Sequence, residues 1–149
     1  MSVPTGASRW SVAATVVLIA AILGLAATDG LFARRPAALV LQGAAVLLML
    51  WARVTFGMRS FHAAANPTSG GLVTTGPYRY VRHPIYAAVL LFVWAGVATH
   101  ITPSTVALAL LATAATAVRM WAEERLVTAR YPEYRAYAAR TKRIIPFVL

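Results

Sequence analysis

The chain has 149 residues, no cysteine and only 4 acidic residues. The first absence removes thiol nucleophiles, thiolate-bound zinc, dithiol redox chemistry and any disulfide framework, and it leaves the compartment open. The second goes with a charged fraction of 12%, half of the roughly 25% that a soluble domain carries. Phosphate-cradling motifs are also missing. No G-x-G-x-x-G and no G-x-x-x-x-G-K-[ST] occurs, so neither a Rossmann fingerprint nor a P-loop is available. No serine sits in a G-x-S-x-G elbow. His62 and His100 are isolated, and three scattered histidines make a poor metal site, so no metal is expected.

What is present is apolar surface. Hydrophobic residues make up 60% of the sequence, and mean hydropathy is +0.68. Charges are absent between Trp10 and Thr28, between Pro36 and Ala52, and from Pro84 to Val118. This pattern excludes a cytosolic globule and a disordered chain. It implies a single all-α integral membrane domain over residues 1–149, a helical bundle of about four transmembrane helices with a short C-terminal cytoplasmic helix.

A bilayer core of roughly 30 Å needs about 20 helical residues. Trp10–Thr28 meets that length, and Pro36–Trp51 is shorter, with Gln42 its only strongly polar side chain. Residues 10–52 thus read as an N-terminal helical hairpin. Pro84 to Val118 as one helix would reach about 50 Å, so it must turn. Thr99-His100-Ile101-Thr102-Pro103-Ser104 supplies the break, because Pro103 suits the opening of a new helix. The expected spans are Ile85–Thr99, short enough to tilt or thin the bilayer, and Ser104–Trp121. With the N-terminus inside, 12 of the 14 basic residues lie on inner segments, and only Arg34 and Arg35 lie outside. Both termini are therefore expected in the cytoplasm, with the protein in the inner membrane. The first run is read as an uncleaved span, being long for the apolar core of a signal peptide. The net charge of +10 belongs to arginines beside the spans. Membrane lipid is their expected partner, and nucleic acid is not.

Two inner segments concentrate polar and aromatic residues. Gly70 to Tyr86 contains Gly76-Pro77-Tyr78-Arg79-Tyr80-Val81-Arg82-His83-Pro84-Ile85-Tyr86 and reads as a shaped loop, not a helix. Pro84 opens the third span, so His83 lies beside a helix N-terminus, where unpaired N–H groups suit an anion. The alternative is an interfacial anchor among lipid headgroups. The second segment holds Arg119, Glu123 and Glu124, then Tyr131, Pro132, Tyr134, Tyr137 and Arg143. Carboxylates at a membrane boundary are costly and tend to be paired or functional. Glu123 lies four residues after Arg119, so an ion pair is the structural reading for it; Glu124 is about 100° round the helix and faces elsewhere. Arg125, Arg130, Arg135 and Arg140 read as a solvated, lipid-facing set. Pro132 suggests a bend near Tyr131 and a short helix to about Arg140. Packing is the favoured role for two of the three tyrosines 131, 134 and 137.

Taken together, the Gly76–Tyr86 motif, the hydrophobic hairpin, Glu123-Glu124-x-Leu126 and the tail Tyr134-x-x-Tyr137…Arg143-Ile144-Ile145-Pro146 resemble the isoprenylcysteine carboxyl methyltransferase family. Phospholipid methyltransferases share the RHPxY…EE pattern. The resemblance covers roughly Leu72 to Phe147, and Ala88 stands where the family often has glycine. It implies a membrane methyltransferase that uses S-adenosyl-L-methionine, with 70–149 as the cofactor-binding half. Gly76, Tyr78, Val81, His83, Tyr86 and Glu123 would bind the cofactor. Glu124, or His83, would act as a base where one is needed, and Arg119 would orient an anionic acceptor. The acceptor would be a lipophilic small molecule: an isoprenylcysteine-like carboxylate, a thiol, a phenol or an amine. The competing class is a non-enzymatic small membrane protein, a transporter or assembly factor. The absence of an acidic residue within any expected span weighs against a proton-coupled carrier.

Overall fold

The computed structural model describes residues 5–57 and 71–145. Five α-helices follow one another: α1 Thr5–Ala27, α2 Pro36–Phe56, α3 Pro84–Val97, α4 Pro103–Arg130 and α5 Tyr134–Arg140. Among the described residues the only extended pairing is an isolated parallel bridge between Val81 and Lys142. The architecture is all-α, as the sequence implies. Prolines open α2, α3 and α4, where the missing N–H is one the first turn leaves unpaired anyway. α4 is fixed further by a capping box between Thr102 and Thr105. α1 stops where Asp29 takes a positive φ of 58° and the Gly30 N–H folds back on the Leu25 carbonyl at 2.8 Å.

α1, α2 and α4 are long and apolar enough to cross a membrane. α3 has 14 residues, about 21 Å of helix, which is less than a bilayer core. The expected hairpin turn is present between Val97 and Pro103. α4 continues past the expected span to Arg130, so it carries Glu123 and Glu124 as far as the bend expected near Tyr131. One boundary differs from expectation. α5 begins at Tyr134 and not at Pro132, since the Tyr134 N–H closes a turn on the Tyr131 carbonyl at 3.0 Å. Gly70, Arg59, His62, Pro146 and Phe147 lie outside the described residues.

The helices pack as two pairs, α1 on α4 and α2 on α3, which meet along α3 and α4. The first pair is antiparallel: Ala7 meets Ala122 and Leu126, and Leu25 meets Ala109. Buried Ala7, Ser11, Ala14, Leu18, Ala21 and Leu25 recur every three or four residues along α1. Small side chains let two helix backbones approach, which drives association where the surroundings are as apolar as the helices. The second pair is locked by buried Gln42. Its Nε2 donates to the carbonyls of Leu31 (2.7 Å) and Phe92 (3.0 Å), and its Oε1 accepts from the Ala33 N–H (3.0 Å). The α1–α2 loop thus lies across α3, where a Cβ on Gly96 would stand 2.1 Å from the Leu31 carbonyl oxygen.

Candidate active site

The polar residues of the expected loop and of the end of α4 converge at one end of the α3–α4 contact. The loop is not wholly irregular, since Gly76–Arg79 forms a 3-10 turn. Gly76 adopts φ +56°, and Pro77 sits at the start of the turn with the φ a turn requires. The turn carries the chain into Val81-Arg82-His83. His83 is the N-cap residue of α3, but its side chain makes no cap bond and turns toward α4 instead.

A first cluster surrounds Glu123. The Tyr86 hydroxyl donates to Glu123 Oε1. Arg119 Nε donates to the Tyr86 oxygen at 2.7 Å, and its Nη2 reaches Glu123 Oε1 at 3.2 Å. Arg119 is only 7% exposed, and a buried cation persists only when paired; Tyr86 and Glu123 provide that pairing. A second cluster surrounds Glu124. Its Oε1 receives Arg82 Nε at 3.1 Å and Arg143 Nε at 3.3 Å, and its Oε2 receives Arg143 Nη2 at 3.2 Å. Buried His83 joins the two clusters, with Nε2 3.2 Å from Glu124 Oε1 and Nδ1 3.8 Å from Glu123 Oε2. A carboxylate only accepts, so the ring nitrogen facing Glu124 carries the proton.

Of the residues singled out from the sequence, His83, Tyr86, Arg119, Glu123 and Glu124 come together. Tyr78 and Val81 are buried in the loop that leads into His83; Tyr78 packs its ring on Phe56 at 5.5 Å. Gly76 stands apart: its missing side chain faces α2, where a Cβ would meet Thr55 Oγ1 at 2.6 Å and Trp51 Nε1 at 3.2 Å. Its glycine is explained by that approach and by its positive φ.

Three residues of the motif and tail that were given no site role complete the arrangement. Arg82 Nη1 donates to the carbonyls of Ala138 (2.8 Å) and Thr141. Arg143 holds the outer side of Glu124. The Tyr137 hydroxyl donates to the Tyr78 carbonyl at 2.6 Å. Backbone bonds from the Arg82 N–H to Lys142 O (2.7 Å) and from the His83 N–H to Arg143 O (2.9 Å) bind the tail along the loop. Burial pushes the Tyr137 phenol up to about 12 and raises those of Tyr78 and Tyr134 as well. The sequence signal for Arg82 and Arg143 was the need of Glu124 for a cationic partner off its own helix; Tyr137 had none beyond its place in the tyrosine stripe.

The phospholipid methyltransferase family model matches residues 35–134, and the chain belongs to that family. It is 32% identical over 142 residues to the cobalt-zinc-cadmium resistance protein CzcN of Cupriavidus metallidurans, covering 92% of this chain and 62% of the relative. It is likewise 32% identical over 143 residues to the nickel-cobalt-cadmium resistance protein NccN of Alcaligenes xylosoxydans xylosoxydans, with the same two coverages. The chain therefore spans less than two thirds of the length of these relatives. No solved structure matches it.

Proposed function

We propose that this member of the phospholipid methyltransferase family is an S-adenosylmethionine-dependent methyltransferase acting on a lipophilic acceptor at the membrane boundary. The observation that carries the reading is the convergence of His83 and Tyr86 from α3 with Arg119, Glu123 and Glu124 from α4 into one largely buried polar network on otherwise apolar helices. The donor set suits the cofactor. Its amino group and ribose hydroxyls call for carboxylates, its own carboxylate for His or Arg, and its adenine for walls such as Tyr78 and Val81. Gly76 supports this pocket indirectly, by letting the turn lie against α2.

When bound, S-adenosylmethionine supplies a methyl group on a positively charged sulfur; the methyl–sulfur bond breaks as the bond to the acceptor forms. The protein's main task is then to position and to exclude water. Arg119 already lies against Tyr86 and Glu123, in reach of an anionic acceptor head. Glu123 Oε1 accepts from two donors, both oxygens of Glu124 accept, and His83 lies between the two carboxylates. With its candidate bases so engaged, the site favours an acceptor that needs no proton removed, a carboxylate or thiolate such as an isoprenylcysteine-like group. We place the protein in the inner membrane with four crossings and both termini cytoplasmic, α3 being the short one. The resistance roles in the relatives' names offer a physiological setting but no chemistry, since no group of His, Asp or Glu among the described residues is arranged to hold a metal ion.

Calorimetry on the detergent-purified protein tests the reading. S-adenosylmethionine and its demethylated product should both bind with a Kd in the micromolar range, of the order of −8 kcal/mol. A transporter or assembly factor has no reason to bind either, and the absence of heat from both would overturn the assignment.

A further inference from the structure

The end of the molecule that carries the network also carries an outward set of cations that the network does not use. Arg125 lies over the face of Trp121 at 4.3 Å, with Trp121 45% exposed. Beyond it α4 runs about 9 Å past Glu124 to Arg130 before α5 brings the chain back. α5 buries Tyr134 and Tyr137 on the protein and turns Arg135 and Arg140 outward, and exposed Lys142 follows. The only exposed acid in this region is Glu133, because Glu123 and Glu124 are engaged inside. Trp10 and Arg9 at the start of α1 are also exposed, and the Ala7–Ala122–Leu126 contact places them at the same end. Exposed tryptophans beside arginines at the end of apolar helices match the chemistry of a bilayer interface, aromatic rings at headgroup depth and guanidinium groups on phosphate.

We propose that the outer face of α5 and the tail is a docking surface for anionic lipid headgroups, and that lipid contact through Arg135 and Arg140 holds α5 and the tail against the loop. The opposite face of the same segment makes the inward bonds: Tyr137 to the Tyr78 carbonyl, and the carbonyls of Ala138 and Thr141 accepting from Arg82. The segment is short, with 7 residues in α5, and its outer ion pair is weak because the Arg143 side chain is 56% exposed. A helix this short gains little stability of its own. Attraction of its arginines to a negative surface therefore adds directly to docking.

The test needs neither cofactor nor acceptor, so its outcome is independent of the proposed activity. The intact protein is placed in vesicles of phosphatidylcholine alone or with phosphatidylglycerol added, and chymotrypsin cleavage after Tyr134 and Tyr137 is timed. Anionic lipid should slow cleavage by about fivefold for each arginine engaged, and raised salt should reverse the protection. Arg135→Gln/Arg140→Gln should cleave like the parent in phosphatidylcholine and lose the response to phosphatidylglycerol. Three results would each overturn the proposal: no dependence on anionic lipid, an unchanged dependence in the double variant, or equal protection by inorganic phosphate over phosphatidylcholine vesicles. The last would point to a soluble anion and not a lipid surface.

Discussion

Glu123 and Glu124 are adjacent in the chain, yet the helix sends them to different partners. Glu123 turns to Arg119 and Tyr86, while Glu124 turns to Arg82, His83 and Arg143. The Arg119–Glu123 pair follows from four-residue spacing and is legible in the sequence. The Arg82–Glu124 pair spans 42 positions and depends on α3 and α4 folding back on each other, and the Arg143–Glu124 pair depends on the tail returning; no spacing rule encodes either. Substitution can separate charge from shape here. Glu123→Gln keeps an oxygen that accepts from Tyr86 and Arg119 but removes the charge offered to a cationic ligand. We expect cofactor affinity to fall tenfold or more, about 1.4 kcal/mol, and the melting temperature to fall as well, because buried Arg119 loses the charge of the carboxylate paired with it; calorimetry beside a thermal melt reads both quantities. His83→Ala should abolish binding while leaving the helices intact by circular dichroism. Gly76→Ala should act the other way round. A side chain there strains the positive φ and meets Thr55 at 2.6 Å, so the loop should lose about 1–3 kcal/mol, read as faster proteolysis of the Gly76–His83 segment.

At the scale of elements, the punctuation was readable and the cross-connections were not. Pro36, Pro84 and Pro103 mark three helix starts, and the turn before Pro103 divides the long apolar run as expected. The 3-10 turn and the bridge between Val81 and Lys142 escaped because they need a positive φ at Gly76 and a partner 61 residues away. Gln42 was legible as an oddity in an apolar run, but its three bonds appear only once the Leu31–Ala33 loop crosses α3. Gln42→Leu should leave the Leu31 and Phe92 carbonyls and the Ala33 N–H without their partner. Hydrogen bonds between helices in lipid are individually modest, so the expected loss is about 2 kcal/mol, seen as a lower melting temperature in detergent. Docking of α5 has a pH signature. The Tyr137 phenol rises from 10.0 to about 12, so its neutral form is favoured in the folded protein. The stability it contributes is complete below about pH 10 and is lost as pH rises through 12. Tail proteolysis should increase in that window together with tyrosinate absorbance, and Tyr137→Phe should abolish the coincidence; a tail that stays protected beyond pH 12 would show that this bond does not hold it.

The whole molecule is two helix pairs joined along α3 and α4, with the polar network at one end of the joint. That arrangement was only partly legible: the number and order of apolar helices follow from composition, whereas their pairing depends on which small-residue stripe finds which partner. Under the proposed activity, two unlike substrates would have to reach one site. If the proposed activity holds, S-adenosylmethionine, being charged and water-soluble, would enter through the polar surface made by the loop and the tail. Among the described residues the loop between α1 and α2 is short and is pinned over α3 by Gln42, so it would offer a lipophilic acceptor no comparable aqueous route. In a bilayer the apolar sides of α3 and α4 would face lipid, and α3, with 14 residues, is too short to fill its full depth, so the proposed opening for the acceptor lies beside its end. Each CH₂ withdrawn from water contributes about 0.8 kcal/mol, so a long-chain acceptor resides in the membrane and approaches from within it. Methylation should therefore track the acceptor's concentration in the bilayer, rising with chain length until partitioning is complete. An assay in liposomes with a homologous series of acceptors reads this directly. Equal turnover of a short, water-soluble analogue and its long-chain relative at the same bulk concentration would place the opening on the aqueous side, beside the tail.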